Sequence, residues 1–328
     1  MEQLTYERIL KAQERIRPFL PVTPLEKSIY LSTADRNVFL KLECQQPVRA
    51  FKIRGALNRL LSLTGEERKD GVAAVSSGNH GIAVAYVTKL LGMKPATVIV
   101  PKNTPDSKLE KLRYYGGKVL LMGDCFDEAS EQGMAYIREK GYRFIDGWDE
   151  DAEVYAGQGT VGLEIMAQNP EIDTILAPIG GGGLCTGTAV AAKSINPKVR
   201  VIPVCTESCG AWTDSVREEK LYHEYPSRES ICEAMVGGIG RLSYSMRSWI
   251  DEGITVSEQV IRKAMLHAVC KEKIVAEAAG AVPIAAVLQH GDRIAGKNIA
   301  LVISGGNADN RVLAEEFQKL VGEKGYRE

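Results

Sequence analysis

The 328-residue chain lacks an excess of charge of either sign, with 41 lysines and arginines against 42 aspartates and glutamates. Without a basic field it has no general means of drawing in nucleic acid or an anionic membrane surface, so the expected partner is a small, locally recognised ligand. No uninterrupted apolar run approaches the roughly 18 residues of a membrane span, and the N-terminus M-E-Q-L-T-Y-E-R-I-L has no apolar stretch of signal-peptide length. A soluble, cytoplasmic protein is expected. C-x-x-C is absent, and no histidine at ligand spacing accompanies C-T-E-S-C at 205–209. The seven cysteines are odd in number and scattered, which argues against both a zinc site and a disulfide framework. Internal repeats and low-complexity segments are also missing, so the whole chain is assigned to folded structure.

What is present is a 45% hydrophobic chain long enough for a large core and two domains. Apolar runs alternate with helical patterns. V72-A-A-V-S precedes a helix near 79–92, T97-V-I-V-P one near 106–115, and K118-V-L-L-M one near 126–139. T174-I-L-A-P, V199-R-V-I-P-V and N298-I-A-L-V-I-S repeat the arrangement later. Short, continuously apolar strands separated by helices predict an α/β protein with parallel sheets covered on both faces. The units near 70–145 are compact and regular, and those after 170 carry longer insertions, which predicts two domains, each on a mostly parallel sheet. Residues 1–68 and 147–328 are assigned to a large domain and 69–146 to a small one, with D146-G-W-D-E-D-A-E as the crossing. Ligands of such folds sit at the carboxyl ends of strands.

Three clusters fall at such positions, and a lysine ahead of a helix-like run joins them. In I175-L-A-P-I-G-G-G-G-L-C-T-G187 a buried strand runs into four glycines and then a helix, a pattern suited to a nest of backbone N–H groups around phosphate. It is neither a G-x-G-x-x-G fingerprint nor a P-loop, since no lysine follows. The formal match G157-Q-G-T-V-G162 lacks a preceding strand and is read as a helix start. V75-S-S-G-N-H-G81 suits capture of a carboxylate or, alternatively, a plain helix cap. Ser304, ending L301-V-I-S, is either a cap or a hydroxyl aimed into the cleft. Lys52, in R49-A-F-K-I-R-G-A-L-N58, is either a lysine snorkelling to water or a desolvated amine able to act as a nucleophile. A phosphate nest, a carboxylate nest, a strand-end hydroxyl and an apolar-flanked lysine together describe a site for pyridoxal 5'-phosphate, whose aldehyde takes one amine and whose phosphate needs an anchor.

Through A50-F-K-I-R-G-A, S76-S-G-N-H-G, A156-G-Q-G-T, P178-I-G-G-G-G-L, E277-A-A-G-A and S304-G-G-N, in that order, the chain resembles the fold-type II pyridoxal-phosphate enzymes. The branch is that of serine/threonine dehydratases and serine racemase, whose fold is like that of the tryptophan synthase β-subunit. The resemblance implies that Lys52 carries the cofactor as a Schiff base, that Phe51 packs beside the ring, and that Asn79 bonds its 3-oxygen. It further implies that Gly180, Gly181, Gly182, Gly183 and Leu184 hold the phosphate and that Ser304 meets the pyridine nitrogen. Ser76, Ser77, Asn79 and His80 correspond to the substrate-carboxylate loop. A serine at the position of Ser77 is the second acid/base of the family's racemases, opposite Lys52.

A hydroxyl is a poor partner for a protonated pyridine nitrogen, so prompt loss of a β-leaving group fits better than transamination. The expected activity is dehydration and deamination of threonine or serine to a 2-oxo acid and ammonia, with Lys52 as general base. The alternatives are an amino-acid racemase and a dehydratase of hydroxyaspartate or phenylserine. From other classes, the rivals are a nucleotide-binding dehydrogenase and a non-catalytic phosphate binder.

Departures from the family are Ala50 in place of serine and C232-E-A-M-V-G-G in a loop near the cofactor. The family's Mg2+ or other divalent-cation site maps to Glu207 and Ala211, but Thr213 stands where a second carboxylate is expected. With no regulatory domain after residue 328, isoleucine feedback is not expected. A homo-oligomer, dimer or tetramer, is.

Overall fold

The apolar runs form strands because they can bury both faces at once. The computed structural model describes residues 3–324. Its strands are β1 (Leu25–Ser28), β2 (Asn37–Lys41), β3 (Val72–Val75), β4 (Thr97–Val100), β5 (Lys118–Leu121), β6 (Arg143–Phe144), β7 (Thr174–Pro178), β8 (Arg200–Thr206), β9 (Ile254–Val256) and β10 (Asn298–Val302). They make a six-stranded sheet in the order β1-β2-β10-β7-β8-β9 and a four-stranded sheet in the order β5-β4-β3-β6. Every pairing is parallel except β1 with β2. The sequence reading anticipated neither β1, β2, β6 nor β9. β1 exposes Glu26 and Lys27 as an edge strand, and β6 and β9 are too short to carry a pattern.

The helices are α1 (Tyr6–Ile16), α2 (Lys52–Ser62), α3 (Gly65–Lys69), α4 (Asn79–Leu90), α5 (Asp106–Tyr114), α6 (Phe126–Lys140), α7 (Ala152–Gln168), α8 (Gly183–Ile195), α9 (Ala211–Arg217), α10 (Arg241–Ser245), α11 (Glu258–Cys270), α12 (Ala278–His290) and α13 (Asn310–Lys324). α7 and α8 cover one face of the larger sheet, and α11 and α12 the other. α2, α4 and α5 pack on the smaller sheet, with Ile53, Leu57 and Leu60 of α2 in the same core as Val72, Ala74 and Val98. In the crossing segment the Asp146 carboxylate accepts the N–H groups of Trp148, Asp149 and Glu150, and Asp151 caps α7. That capping is why an acidic run turns there.

G157-Q-G-T-V-G162 lies inside α7, not at its start. The glycines are there for packing: a Cβ on Gly157 would come within 2.5 Å of the Arg54 carbonyl oxygen, and one on Gly187 within 2.7 Å of the Gly159 nitrogen. α7 therefore lies backbone to backbone against α2 and α8. Under this contact is an enclosed ionic cluster. The Arg54 guanidinium bonds both Glu43 oxygens at 2.7 and 2.8 Å and both Glu164 oxygens at 2.7 and 2.8 Å. Lys41 adds a 2.6 Å contact to Glu164. Lys41, Glu43 and Arg54 have no solvent exposure. Burial opposes the charge on Arg54, but Glu43 and Glu164 outweigh it and hold the group protonated. Removing one member strands the others in low dielectric, so Arg54→Met is expected to destabilise the protein by about 3–5 kcal/mol. A denaturant titration against wild type measures this. A loss under about 1 kcal/mol would mean that water reaches the cluster.

Candidate active site

Lys52 opens α2, and the segment ahead of it is stitched to the end of β10. Phe51 N–H donates to the Ser304 carbonyl at 2.9 Å, Gly306 N–H to the Arg49 carbonyl at 2.8 Å, and Ala50 bridges Gly305. Phe51 and Lys52 are thereby brought together with Ser304, some 250 positions away in the sequence. The Lys52 amine is partly buried, 5.4 Å from the Phe51 ring centroid, and donates to the Gly147 carbonyl at 2.7 Å. Burial pushes its pKa down to about 8, against the pull of Asp146. Ser304 is 3% exposed, and its hydroxyl has no partner among the described residues.

The glycine loop joins β7 to α8. A Cβ on Gly180 would lie 2.5 Å from the Ala234 carbonyl oxygen and one on Gly181 2.8 Å from the Trp148 Cβ. Gly182 has φ of 101° and would place a Cβ within 1.9 Å of the Ser243 hydroxyl. Protein thus fills the outer side of the loop. Among the described residues, no backbone carbonyl accepts from the N–H groups of Gly180, Gly181, Gly182, Gly183 or Leu184. Such a row of unpaired donors at a helix N-terminus fits a phosphate group, and with it the cofactor expected from the sequence. Trp148, against Gly181, follows the Gly147 that receives Lys52, so nest and amine adjoin.

Ser76, Ser77 and Gly78 link β3 to α4. The Ser76 hydroxyl accepts the Gly78 N–H at 3.3 Å, and the Ser77 hydroxyl has no partner among the described residues. Gly78 faces open space, since a Cβ there would meet nothing within 4 Å. His80 turns inward: Nε2 donates to the Ile145 carbonyl at 2.8 Å, and Nδ1 is buried without a partner among the described residues. Burial and, after it, Lys52 push its pKa down to about 4, so the ring is neutral at physiological pH. A Cβ on Gly147 would lie 2.7 Å from the His80 ring, which seats His80 against the backbone of the residue that receives Lys52. Asn79 donates to Glu277 Oε1 at 2.7 Å. Burial raises the Glu277 carboxyl to about 7, with the Asn79 bond opposing.

Glu207 and Ala211 are not joined by a third ligand. The Glu207 carboxylate accepts the Glu258 N–H at 3.0 Å, and Asp214 is held by the Tyr225 hydroxyl and Arg217. Among the described residues no group of three His, Cys, Asp or Glu side chains could hold a metal ion. With Asp214 committed to Tyr225 and Arg217, no second carboxylate among the described residues joins Glu207 to support a divalent cation.

Sequence reasoning missed Glu277, Asn307, Lys111 and Gly147. Glu277 and Asn307 lay inside motifs quoted for other reasons. Lys111 is one of several charged residues in D106-S-K-L-E-K-L-R113, with nothing to set it apart, and Gly147 lies in the turn-rich crossing segment.

The family model for pyridoxal-phosphate dependent enzymes matches residues 16–305. The chain is 38% identical over 327 residues to L-threonine ammonia-lyase of Thermotoga maritima, covering 99% of this chain and 80% of that protein. Its structure is similar to that of maize serine racemase, with a TM-score of 0.89 and 32% identity over 99% of this chain and 100% of that one. It is similar, too, to the processed form of threonine deaminase isoform 2 from Solanum lycopersicum, with a TM-score of 0.89 and 29% identity over 98% and 91% of the two chains.

The depressed pKa of Lys52 is open to direct measurement in protein stripped of small molecules. Only a neutral amine reacts with acetic anhydride, so competitive labelling across pH, read by peptide mass, is expected to give Lys52 a midpoint of about 8. Exposed lysines should titrate near 10.4. A Lys52 midpoint at that higher value would place the amine in water.

Proposed function

The chain belongs to the pyridoxal-phosphate dependent enzymes, and on that premise we propose that it converts threonine or serine to the 2-oxo acid and ammonia. The observation that carries this conclusion is the half-buried amine of Lys52, its pKa lowered by burial, adjoining the N–H row of 180–184 that is unpaired among the described residues. The relative named as a threonine ammonia-lyase supports the reaction class.

Pyridoxal phosphate, when bound, supplies the electron sink that makes an amino acid's α-proton removable. Lys52 would be its attachment point and, once displaced by substrate, the base that takes that proton. Gly180, Gly181, Gly182, Gly183 and Leu184 would hold the phosphate, Phe51 flank the ring, Ser304 meet its nitrogen and Asn79 donate to its 3-oxygen. Ser76, Ser77, Asn79 and the first N–H groups of α4 would orient the substrate carboxylate. His80 would act indirectly, seated against the backbone of Gly147. The elements of water leave across Cα and Cβ, and water returning at Cα releases ammonia. No cation at Glu207 and Ala211 enters this scheme.

We read the two sheets as two domains, residues 69–146 with the carboxylate loop, and 1–68 with 147–328 holding the cofactor. We also infer a cytoplasmic homo-oligomer, dimer or tetramer. Among the described residues no helix is long and apolar enough to cross a membrane.

Borohydride reduction of the holoenzyme followed by peptide mapping is expected to fix the cofactor on Lys52. A panel of β-hydroxy amino acids is expected to give 2-oxobutanoate and ammonia from threonine, and pyruvate and ammonia from serine. Label on another lysine, or no ammonia from either substrate, would overturn the assignment.

The unengaged Ser77 hydroxyl favours a minor racemisation alongside elimination. A single base returns the proton to the face it left, so inversion needs a second group. Ser77→Ala is therefore expected to abolish the opposite enantiomer of serine while sparing most 2-oxo acid formation, as chiral chromatography of residual substrate would show. If wild type yields no opposite enantiomer, Ser77 has no acid/base role. If racemisation outpaces elimination, the enzyme is a racemase.

A further inference from the structure

Three hydrogen bonds run in one line across the cleft. Lys111 Nζ donates to Asn307 Oδ1, Asn307 Nδ2 donates to Asn79 Oδ1 at 2.6 Å, and Asn79 Nδ2 donates to Glu277 Oε1 at 2.7 Å. Lys111 and Asn79 lie on α5 and α4 of the smaller sheet, whereas Asn307 follows β10 and Glu277 precedes α12 on the larger one. Each link therefore passes from one sheet's elements to the other's. All donors point the same way, with an ammonium at the head and a carboxyl group at the tail, so each bond polarises the next.

This direction determines what Asn79 can offer a ligand. A carboxamide has two N–H donors on one side and an oxygen on the other. Turned over, Asn79 would set its oxygen against the oxygen of Glu277 and its N–H groups against those of Asn307. As placed, it keeps one N–H without a partner among the described residues, beyond the bond to Glu277. Asn307 is in turn held by Lys111 at its oxygen and by the Val48 carbonyl, 3.0 Å from its nitrogen. Lys111 is partly buried, with burial lowering its pKa and Glu277 opposing. α5 keeps other ties across the cleft, Lys108 to Glu233 at 2.6 Å and the Tyr115 hydroxyl, just beyond its end, to the Pro47 carbonyl at 3.4 Å. Docking of the helix does not rest on Lys111 alone.

We propose that Lys111, acting through Asn307, is a positioning residue that fixes the Asn79 amide with its free N–H toward the cofactor and makes that contact depend on the seat of α5 across the cleft. The proposal rests on the role given to Asn79 above.

The test uses the holoenzyme. Lys111→Met removes the donor and keeps the length, and it is expected to shift the visible absorption maximum of the bound cofactor and speed cofactor loss on dilution about tenfold, a change in line with losing one charged hydrogen bond. kcat for threonine should fall while KM changes less than about twofold, the pattern of an interaction not made to the ground-state substrate alone. Lys111→Arg should restore the wild-type band, and Asn307→Ser should reproduce the Met variant should that one fail to fold. In an Asn79→Ala background Lys111→Met should have no further effect on the band. An unshifted band in both Lys111→Met and Asn307→Ser, or additive effects with Asn79→Ala, overturns the proposal while borohydride label on Lys52 leaves the functional assignment standing. Label elsewhere removes the assignment itself and the proposal with it.

Discussion

The cleft depends on the enclosure of one guanidinium. Arg54 is held between Glu43, which follows β2, and Glu164, inside α7, with all four carboxylate oxygens engaged. An unpaired charge in this interior would cost several kcal/mol, so α2 has one acceptable rotation about its axis. Positions two apart on a helix lie about 200° round it. With Arg54 facing inward, Lys52 must face the cleft. The backbone bonds from Phe51 and Gly306 to Ser304 and Arg49 then fix its height against the end of β10. The aim of the amine is thus set by a residue that touches no ligand.

The short turn at 146–148 carries the second constraint, because both sheets meet there. Gly147 receives Lys52 with its carbonyl and has no Cβ, which leaves room for the His80 ring from α4, while Trp148 lies on Gly181 of the phosphate loop. Asp146, drawn into the turn by three N–H groups, is the charge that partly offsets the burial of Lys52. A few residues thereby join the base, the carboxylate loop and the phosphate loop. Among the described residues the N–H row at 180–184 and His80 Nδ1 have no partner, so hydrogen-bond stability has been forgone around this turn. Unsatisfied polar groups of that kind concentrate at ligand sites, where a bound molecule supplies the missing partners.

Legibility in the sequence followed how unusual a residue was for its neighbourhood. Four glycines between a strand and a helix cannot be explained by propensity, and a lysine between Phe51 and Ile53 invites a question wherever it occurs. The opposite held for Lys111, which sits in a charged helix of ordinary appearance, and for Arg54 and Lys41, whose apolar neighbours do not name the distant carboxylates they pair with. G157-Q-G-T-V-G162 misled because a glycine needed for helix packing and one needed for a turn are the same letter. The weak strands β1, β6 and β9 owe their form to the partner beside them, and no local pattern announces that.

By itself the sequence determined the alternation of buried strands and helices, the division into two sheets, and the glycine, serine, asparagine and lysine types that a phosphate, a carboxylate and an aldehyde require. These are properties of short segments, set by backbone freedom and by the donors a side chain carries. Only the tertiary structure decided which of those groups meet. The pKa of Lys52, the inward turn of His80, the commitment of Glu207 to the Glu258 N–H and the line from Lys111 to Glu277 all arise from burial and from residues far apart in the chain. Desolvation and long-range hydrogen bonding have no existence until the two sheets are packed, so no segment read alone could contain them.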